Sequence, residues 1–194
     1  MLLTELMLEN DAVRLEPLEK EHYDALSPIA LEHPDLLRYS PSAFGPGEKL
    51  RKYIETAIDA RELQRRLPFA IYNKSSDTYV GSTSFGDIAL EHQRLSIGWT
   101  WLDKSVQGTG LNKQCKFLML QYAFEVLDMQ RVEFKIDMRN IQSRRAVEKI
   151  GGQFEGCLRS HLIMQDGYRR DTASYSILKV EWEELKQTVF KDLL

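Results

Sequence analysis

Gln107-Gly108-Thr109-Gly110-Leu111-Asn112 sets two glycines and two amide side chains between a hydrophobic stretch, Ile97-Gly98-Trp99-Thr100-Trp101-Leu102, and an apolar helical repeat. The order strand, glycine turn, helix aims free backbone N–H groups and the positive end of a helix at one point. That suits a phosphate or pyrophosphate. Gly108 and Gly110 let the backbone approach an anion with no Cβ in the way. The run is not a P-loop, because Gly110 is followed by Leu-Asn-Lys-Gln and no Gly-Lys-Ser/Thr occurs. Nor is it a dinucleotide fingerprint, since Lys113 stands where the third glycine belongs.

The elements around this turn follow from period and punctuation. Leu111, Cys115, Leu118, Met119, Tyr122, Ala123 and Val126 fall on one helical face after it. Ahead of it, Ala12 to Glu16 reads as a short strand, Lys20 to Leu31 as a helix, and Glu48 to Leu67 as a second helix stopped by Pro68. Arg65-Arg66 then complements that helix end. Between the helices, Tyr39 to Gly47 is rich in Ser, Pro and Gly, the composition of a connector or a substrate wall. Strands are predicted at Phe69 to Asn73, Tyr79 to Phe85, Arg94 to Leu102 and Arg131 to Asp137. Trp99 and Trp101 share a parity, so both face one side and pack against a helix. Asn140 suits an N-cap for a helix running to Ile150 and closed by Gly151-Gly152. Two extended stretches, Gln153 to Met164 and Tyr168 to Lys179, flank the hairpin turn Asp166-Gly167, and Glu181 to Phe190 reads as a terminal helix.

The chain of 194 residues suits one domain, 1–194, with no linker or repeat. A formal net charge of −3 gives no global reason to expect nucleic acid or an acidic membrane surface. Met1 to Glu9 lacks the basic start of a leader, and no apolar run reaches the length of a membrane span. Two cysteines, Cys115 and Cys157, read as core residues of a protein in a reducing compartment, the cytoplasm. With four isolated histidines, no metal-ligand spacing arises and no metal is expected.

The layout resembles the GNAT superfamily of acetyl-CoA-dependent N-acetyltransferases, nearest its RimJ/RimL-like branch. The resemblance rests on Ile97 to Leu102, Gln107 to Asn112, Asn140-Ile141-Gln142-Ser143, Lys149 to Gly156 and the Asp166-Gly167 to Arg170-Asp171 hairpin. It implies an α+β fold with a mixed, mostly antiparallel central sheet, a strand splay at the cofactor site and helices on both faces. It also implies acetyl-CoA as co-substrate, no metal, an amine acceptor and an open question of homodimerisation. By the same resemblance, Thr100, Trp101 and Leu102 would hold the pantetheine arm. Gln107, Gly108, Thr109, Gly110, Leu111 and Asn112 would cradle the pyrophosphate, and Asn140 would contact cofactor or acceptor. Asn112 departs from the motif, whose last position is Gly or Ala.

Amine acetylation needs a neutral amine, a polarised thioester carbonyl and a stabilised leaving thiolate. The resemblance points to Ser143 for protonating the thiolate, although a first-turn serine bonding to backbone near Asn140 is equally ordinary. Relatives carry Glu at the places of Ser96 or Lys135, so the base is sought among Glu155, His161 and Asp171, or in water. The acceptor, a peptide N-terminus or a small molecule such as a polyamine or antibiotic, is left open. A catalytically weak acyl-CoA-binding or sensing domain is the rival from another class.

Overall fold

Apolar residues at alternate positions build the sheet: Val13 and Leu15, Phe69 and Ile71, Leu95 and Ile97, and Val132, Phe134 and Ile136 are all buried. The computed structural model describes residues 5–194; Met1 to Thr4, the start of the segment read for a leader, lie outside them. The elements run β1 (Leu8–Glu9), β2 (Val13–Pro17), α1 (His22–Glu32), α2 (Glu48–Glu62), β3 (Arg66–Asn73), β4 (Thr78–Ala89), β5 (Arg94–Leu102), α3 (Leu111–Gln121), β6 (Arg131–Asp137), α4 (Ile141–Lys149), β7 (Gln153–Ile163), β8 (Arg169–Leu178) and α5 (Lys179–Thr188). One eight-stranded sheet has the order β1-β2-β3-β4-β5-β6-β8-β7. All of its pairs are antiparallel except β5 with β6. The expected mixed α+β architecture is therefore observed.

Two cores flank the sheet. Leu26 and Ile29 of α1 join Leu50, Ile54 and Ala57 of α2 against Ala70 and Trp101. Cys115 and Met119 of α3, Val147 of α4 and Trp182 of α5 fill the other cluster with Phe85, Ile97 and Phe134.

Several boundaries differ from the sequence expectation for local reasons. Helix α2 ends at Glu62, where Gln64 adopts a left-handed φ of 54° and turns the chain into β3. Arg66 consequently belongs to that strand and not to a helix end. It is buried, with Nε donating to Ser84 Oγ at 2.8 Å and its guanidinium over the Trp99 ring at 4.6 Å. Val126 was expected on the buried face of the helix after the glycine turn. It is 61% exposed, because Tyr122–Val126 forms a wider π-type turn that moves the following residues around the axis. Cys157 is exposed as well: β7 is the edge strand, and most of its residues face solvent.

Candidate active site at the strand splay

Strands β5 and β6 pair over only three positions, Arg94 with Arg131, Leu95 with Val132 and Ser96 with Glu133. Beyond Ser96 they part. The cause is visible on the other side of β5, where the register with β4 shifts between Ser82 and Ser84 and Trp99 takes a left-handed φ of 51°. A non-glycine residue holds that conformation only when its surroundings fix it. Here the Arg66 guanidinium stacks on the Trp99 ring, and Tyr53 Oη donates to Trp99 O at 3.4 Å. Trp101 packs nearby against Phe44 and Tyr53, so both tryptophans do lie toward α2. The bulge leaves the β6-facing edge of β5 without a strand partner, and such backbone groups require one.

A cleft of about 320 Å³ occupies the gap. Its wall includes Thr100, Trp101, Leu102, Gln107, Gly108, Asn112, Asn140 and Ser143, which brings together most of the residues singled out from sequence. Tyr39 and Ser40 of the Ser/Pro/Gly-rich loop also stand on it, whereas Phe44 is buried against Trp101. Thr109, Gly110 and Leu111, the middle of the same turn, line an adjoining depression with Lys113 and Asp192. Those two residues form an ion pair.

The turn that closes the cleft is held by side chains at both ends. Gln107 Nε2 donates to Leu102 O at 2.8 Å, and Gln107 Oε1 accepts from Gln142 Nε2 at 3.0 Å. The first helical bond of α3 runs from Gln114 N to Gly110 O at 3.2 Å, leaving the N–H groups of Asn112 and Lys113 without a helical acceptor. Gly108 and Gly110 have φ of 79° and 94°, and a Cβ at either would meet open space. Helix α4 starts as expected, with Asn140 Oδ1 accepting from Ser143 N at 3.1 Å. This cap turns Asn140 and the half-buried Ser143 toward the glycine turn across the cleft.

The base candidates fall elsewhere. Glu155 and His161 lie on β7 and are absent from the cleft wall. Glu155 accepts from Arg131 Nη1 at 2.6 Å, from Arg131 Nη2, and from Ser176 Oγ at 3.0 Å. The Arg131 guanidinium holds its carboxyl below the usual carboxylate range. His161 Nδ1 sits 3.1 Å from Thr172 Oγ1 on an exposed stretch, and Asp171 Oδ1 accepts from Ser160 N at 2.6 Å. Glu155 and His161 thus sit on the edge strand and Asp171 on its neighbour β8, and none of the three stands on the cleft wall. Asp137 is the one acid on the wall among the described residues. Burial pushes its carboxyl up, but Nε and Nη2 of Arg139, at 3.0 and 2.7 Å, outweigh that and hold it low.

Two cations on the wall were missed in the sequence. Arg170 is 4% exposed and donates to Tyr39 O at 3.3 Å and Lys135 O at 3.0 Å. Lys116 donates to Thr100 Oγ1 at 2.8 Å and to Thr83 Oγ1 at 3.2 Å. One signal for Lys116 existed. It lies four residues after Asn112 and three before Met119, on a helical face that should be apolar.

A phosphopantetheine thioester fits these residues. Trp101 Nε1, Asn112 Oδ1 and Arg170 Nε are buried without a protein partner among the described residues, and all three residues stand on the wall. An unpaired strand edge and an open helix start continue the same line. Among the described residues no group of three metal-ligating side chains occurs, and no helix is long and apolar enough to cross a membrane.

The family described as acetyltransferase (GNAT) domain matches residues 12–153. The chain is 31% identical over 138 residues to the protein named "Probable N-acetyltransferase YjcK" of Bacillus subtilis (strain 168), covering 71% of this chain and 75% of the relative. It is 24% identical to the ribosomal-protein-serine acetyltransferase of Escherichia coli (strain K12), over 86% of this chain and 93% of the relative. The crystal structure of a GCN5-related N-acetyltransferase from Brucella melitensis superposes with a TM-score of 0.88 at 29% identity, covering 96% of this chain and 85% of that one. The family match spans the splayed strands, the glycine turn and the capped start of α4 together. On that extent the chain belongs to the GNAT family and is an N-acetyltransferase.

Proposed function

We propose that the protein transfers an acetyl group from acetyl-CoA directly to a primary amine within a ternary complex, and that its acceptor is the α-amine of a peptide N-terminus. The observation that carries this reading is the unpaired β5 edge after Ser96, which leads through one short helical turn at Lys104–Val106 into the open turn at the start of α3. Backbone groups of Thr100, Trp101 and Leu102 would bond the pantetheine amides, and Gln107 to Asn112 would receive the pyrophosphate. Asn140 sits where cofactor and acceptor meet. As the amine nitrogen bonds to the thioester carbon, the carbon–sulfur bond breaks. Ser143 Oγ donates a hydrogen bond to the departing thiolate and passes it a proton as it takes one from solvent, while the proton of the amine goes to solvent. A thiol of pKa ~8.5 leaves readily, so this weak acid suffices.

Asp137, the acid on the wall, is committed to Arg139, and Lys116, Lys135 and Arg170 line the same cleft. An enzyme without a free carboxylate must receive its amine neutral and pass the proton to solvent. At pH 7 that costs about 1.4 kcal/mol for an α-amine of pKa ~8 and about 4.6 kcal/mol for a lysine of pKa ~10.4. The name of the Escherichia coli relative, a ribosomal-protein-serine acetyltransferase, supports a protein acceptor. Cys157, exposed and unpaired, suits a reducing compartment such as the cytoplasm.

Thiol release with acetyl-CoA across N-terminal peptides, amino acids, polyamines and aminoglycosides tests the reading. Peptides with free α-amines should turn over fastest. A clear preference for polyamines or aminoglycosides would replace the acceptor, and tight cofactor binding without release to any amine would favour a sensing domain.

A further inference from the structure

The α3 wall of the cleft carries a charge that the transfer scheme leaves unused. Lys116 is 5% exposed, and its ammonium is held by the hydroxyls of Thr100 and Thr83, which lie 2.8 Å from each other. Among the described residues it forms no ion pair. A buried ammonium without a counter-charge is among the most unfavourable arrangements in a protein interior, and a methionine could fill similar space.

The groups facing Lys116 come from three elements. Strand β4 supplies Thr83, β5 supplies Thr100, and α3 itself supplies Cys115. Burial pushes the Cys115 thiol up to about 12, so it stays neutral. Across the cleft stand Lys135, Arg170 and Asp137, the last held by Arg139. Among the described residues no anion answers the ammonium. Burial lowers Lys116 to about 8, which leaves it mainly protonated at pH 7. Its partner Thr100 directly follows the strained Trp99, at the point where β5 has left β6.

We propose that Lys116 is a positioning residue for acetyl transfer: through the Thr100 hydroxyl it fixes the bulged end of β5 and holds a positive charge in place beside the thioester. The proposal rests on the reading of this cleft as the acetyl-CoA site. Negative charge develops on the thioester oxygen and then on the departing sulfur. A charge already in place in a site shielded from water stabilises both without reorganising. Lys116 neither gives nor takes a proton during the reaction. The carbon–nitrogen bond that forms, the carbon–sulfur bond that breaks and the proton from Ser143 remain as described above.

Two substitutions and a pH profile test it. Lys116→Met removes the charge at nearly constant length. It should raise Tm while lowering kcat by about 30-fold or more, with KM for acetyl-CoA changed less than about threefold. Thr100→Val keeps the charge but removes the hydroxyl that transmits it, and should lower kcat by a smaller factor, about 5-fold. With an acceptor amine already neutral at pH 7, wild-type kcat should fall as pH rises through about 8, and this limb should vanish in Lys116→Met. Wild-type kcat in a folded Lys116→Met protein would overturn the proposal. So would a Lys116→Met protein that loses Tm and kcat together, because the lysine would then be a structural part. Should the wild type fail to bind acetyl-CoA by calorimetry, the cofactor reading itself fails and takes the proposal with it.

Discussion

Glu155 and Lys116 are both charged groups set among hydroxyls, and they end in opposite electrostatic situations. Glu155 receives two hydrogen bonds from Arg131 and further ones from Ser176 and Ser174, on the exposed edge of the sheet. Its carboxylate is compensated, its affinity for a proton is lowered by Arg131, and it is a poor base. Lys116 has only Thr100 and Thr83, deep beside the cleft. A charge fully answered by the protein serves the fold. One left unanswered at a ligand-sized gap is available to what binds there.

Variants on the two sides should therefore fail in different currencies, function in the cleft and stability at the sheet edge. The largest effect is expected from Gly110→Asp. Gly110 is the N-cap of α3 at φ 94°, and a carboxylate there would accept from the N–H groups that the pyrophosphate needs, besides repelling it. Affinity for acetyl-CoA should fall by well over tenfold, about 1.4 kcal/mol or more. Unchanged calorimetric affinity in a folded variant would remove the turn from the cofactor site.

Ser143→Ala comes next. Its hydroxyl matters when thiolate charge develops, so kcat should fall by about tenfold while KM for acetyl-CoA holds. A wild-type kcat would return Ser143 to an ordinary first-turn serine. Glu155→Gln should do the reverse, leaving kcat within about twofold and lowering Tm by roughly 2–4 °C, as for the loss of a half-exposed ion-pair network. The sign of its pH dependence follows from the lowered folded pKa. Stability from Glu155 is present above the unfolded carboxyl's pKa and is lost as pH falls through the lower folded value. Lys116 has the same sign for the opposite reason, a charge penalised by the fold and not held by it. Its folded value near 8 lies below 10.5, so its penalty is full below pH 8 and is relieved between 8 and 10.5, on the order of 3 kcal/mol in all. Wild type should thus approach Lys116→Met in stability as pH rises through that window, measurable by denaturant titration.

The same contrast explains what could be read in the chain. The turn from Gln107 to Asn112 at the head of α3 was legible because a strand, a glycine turn and a helix start are contiguous in sequence. The Asn140 cap and the Asp166-Gly167 turn, where Gly167 has φ 81°, were legible for the same reason. Lys116 and Arg170 were not, because their isolation from carboxylates is set by strands remote in sequence. Glu155 looked like a base for as long as Arg131, 24 residues away, was unseen beside it. The parity of Trp99 and Trp101 gave their side correctly, but the bulge between β4 and β5 that opens the splay depends on Arg66 and Tyr53, which no local pattern joins to Trp99.

The smallest expected effect tests the route of the amine's proton. His161 is exposed, hydrogen-bonded to Thr172 Oγ1, and not part of the cleft wall. His161→Asn should change kcat/KM by less than about twofold and stability by no more than roughly 0.5 kcal/mol. Solvent, in place of a carboxylate, then takes the proton, and the rising limb of kcat/KM against pH must follow the acceptor. A series of peptides whose α-amine pKa is varied should move that limb in step, in the wild type and in the His161 and Glu155 variants alike. A limb that stays fixed as the acceptor changes would locate a titrating base in the protein. Asp137 would be the first residue to replace, since it is the one carboxylate already on the wall.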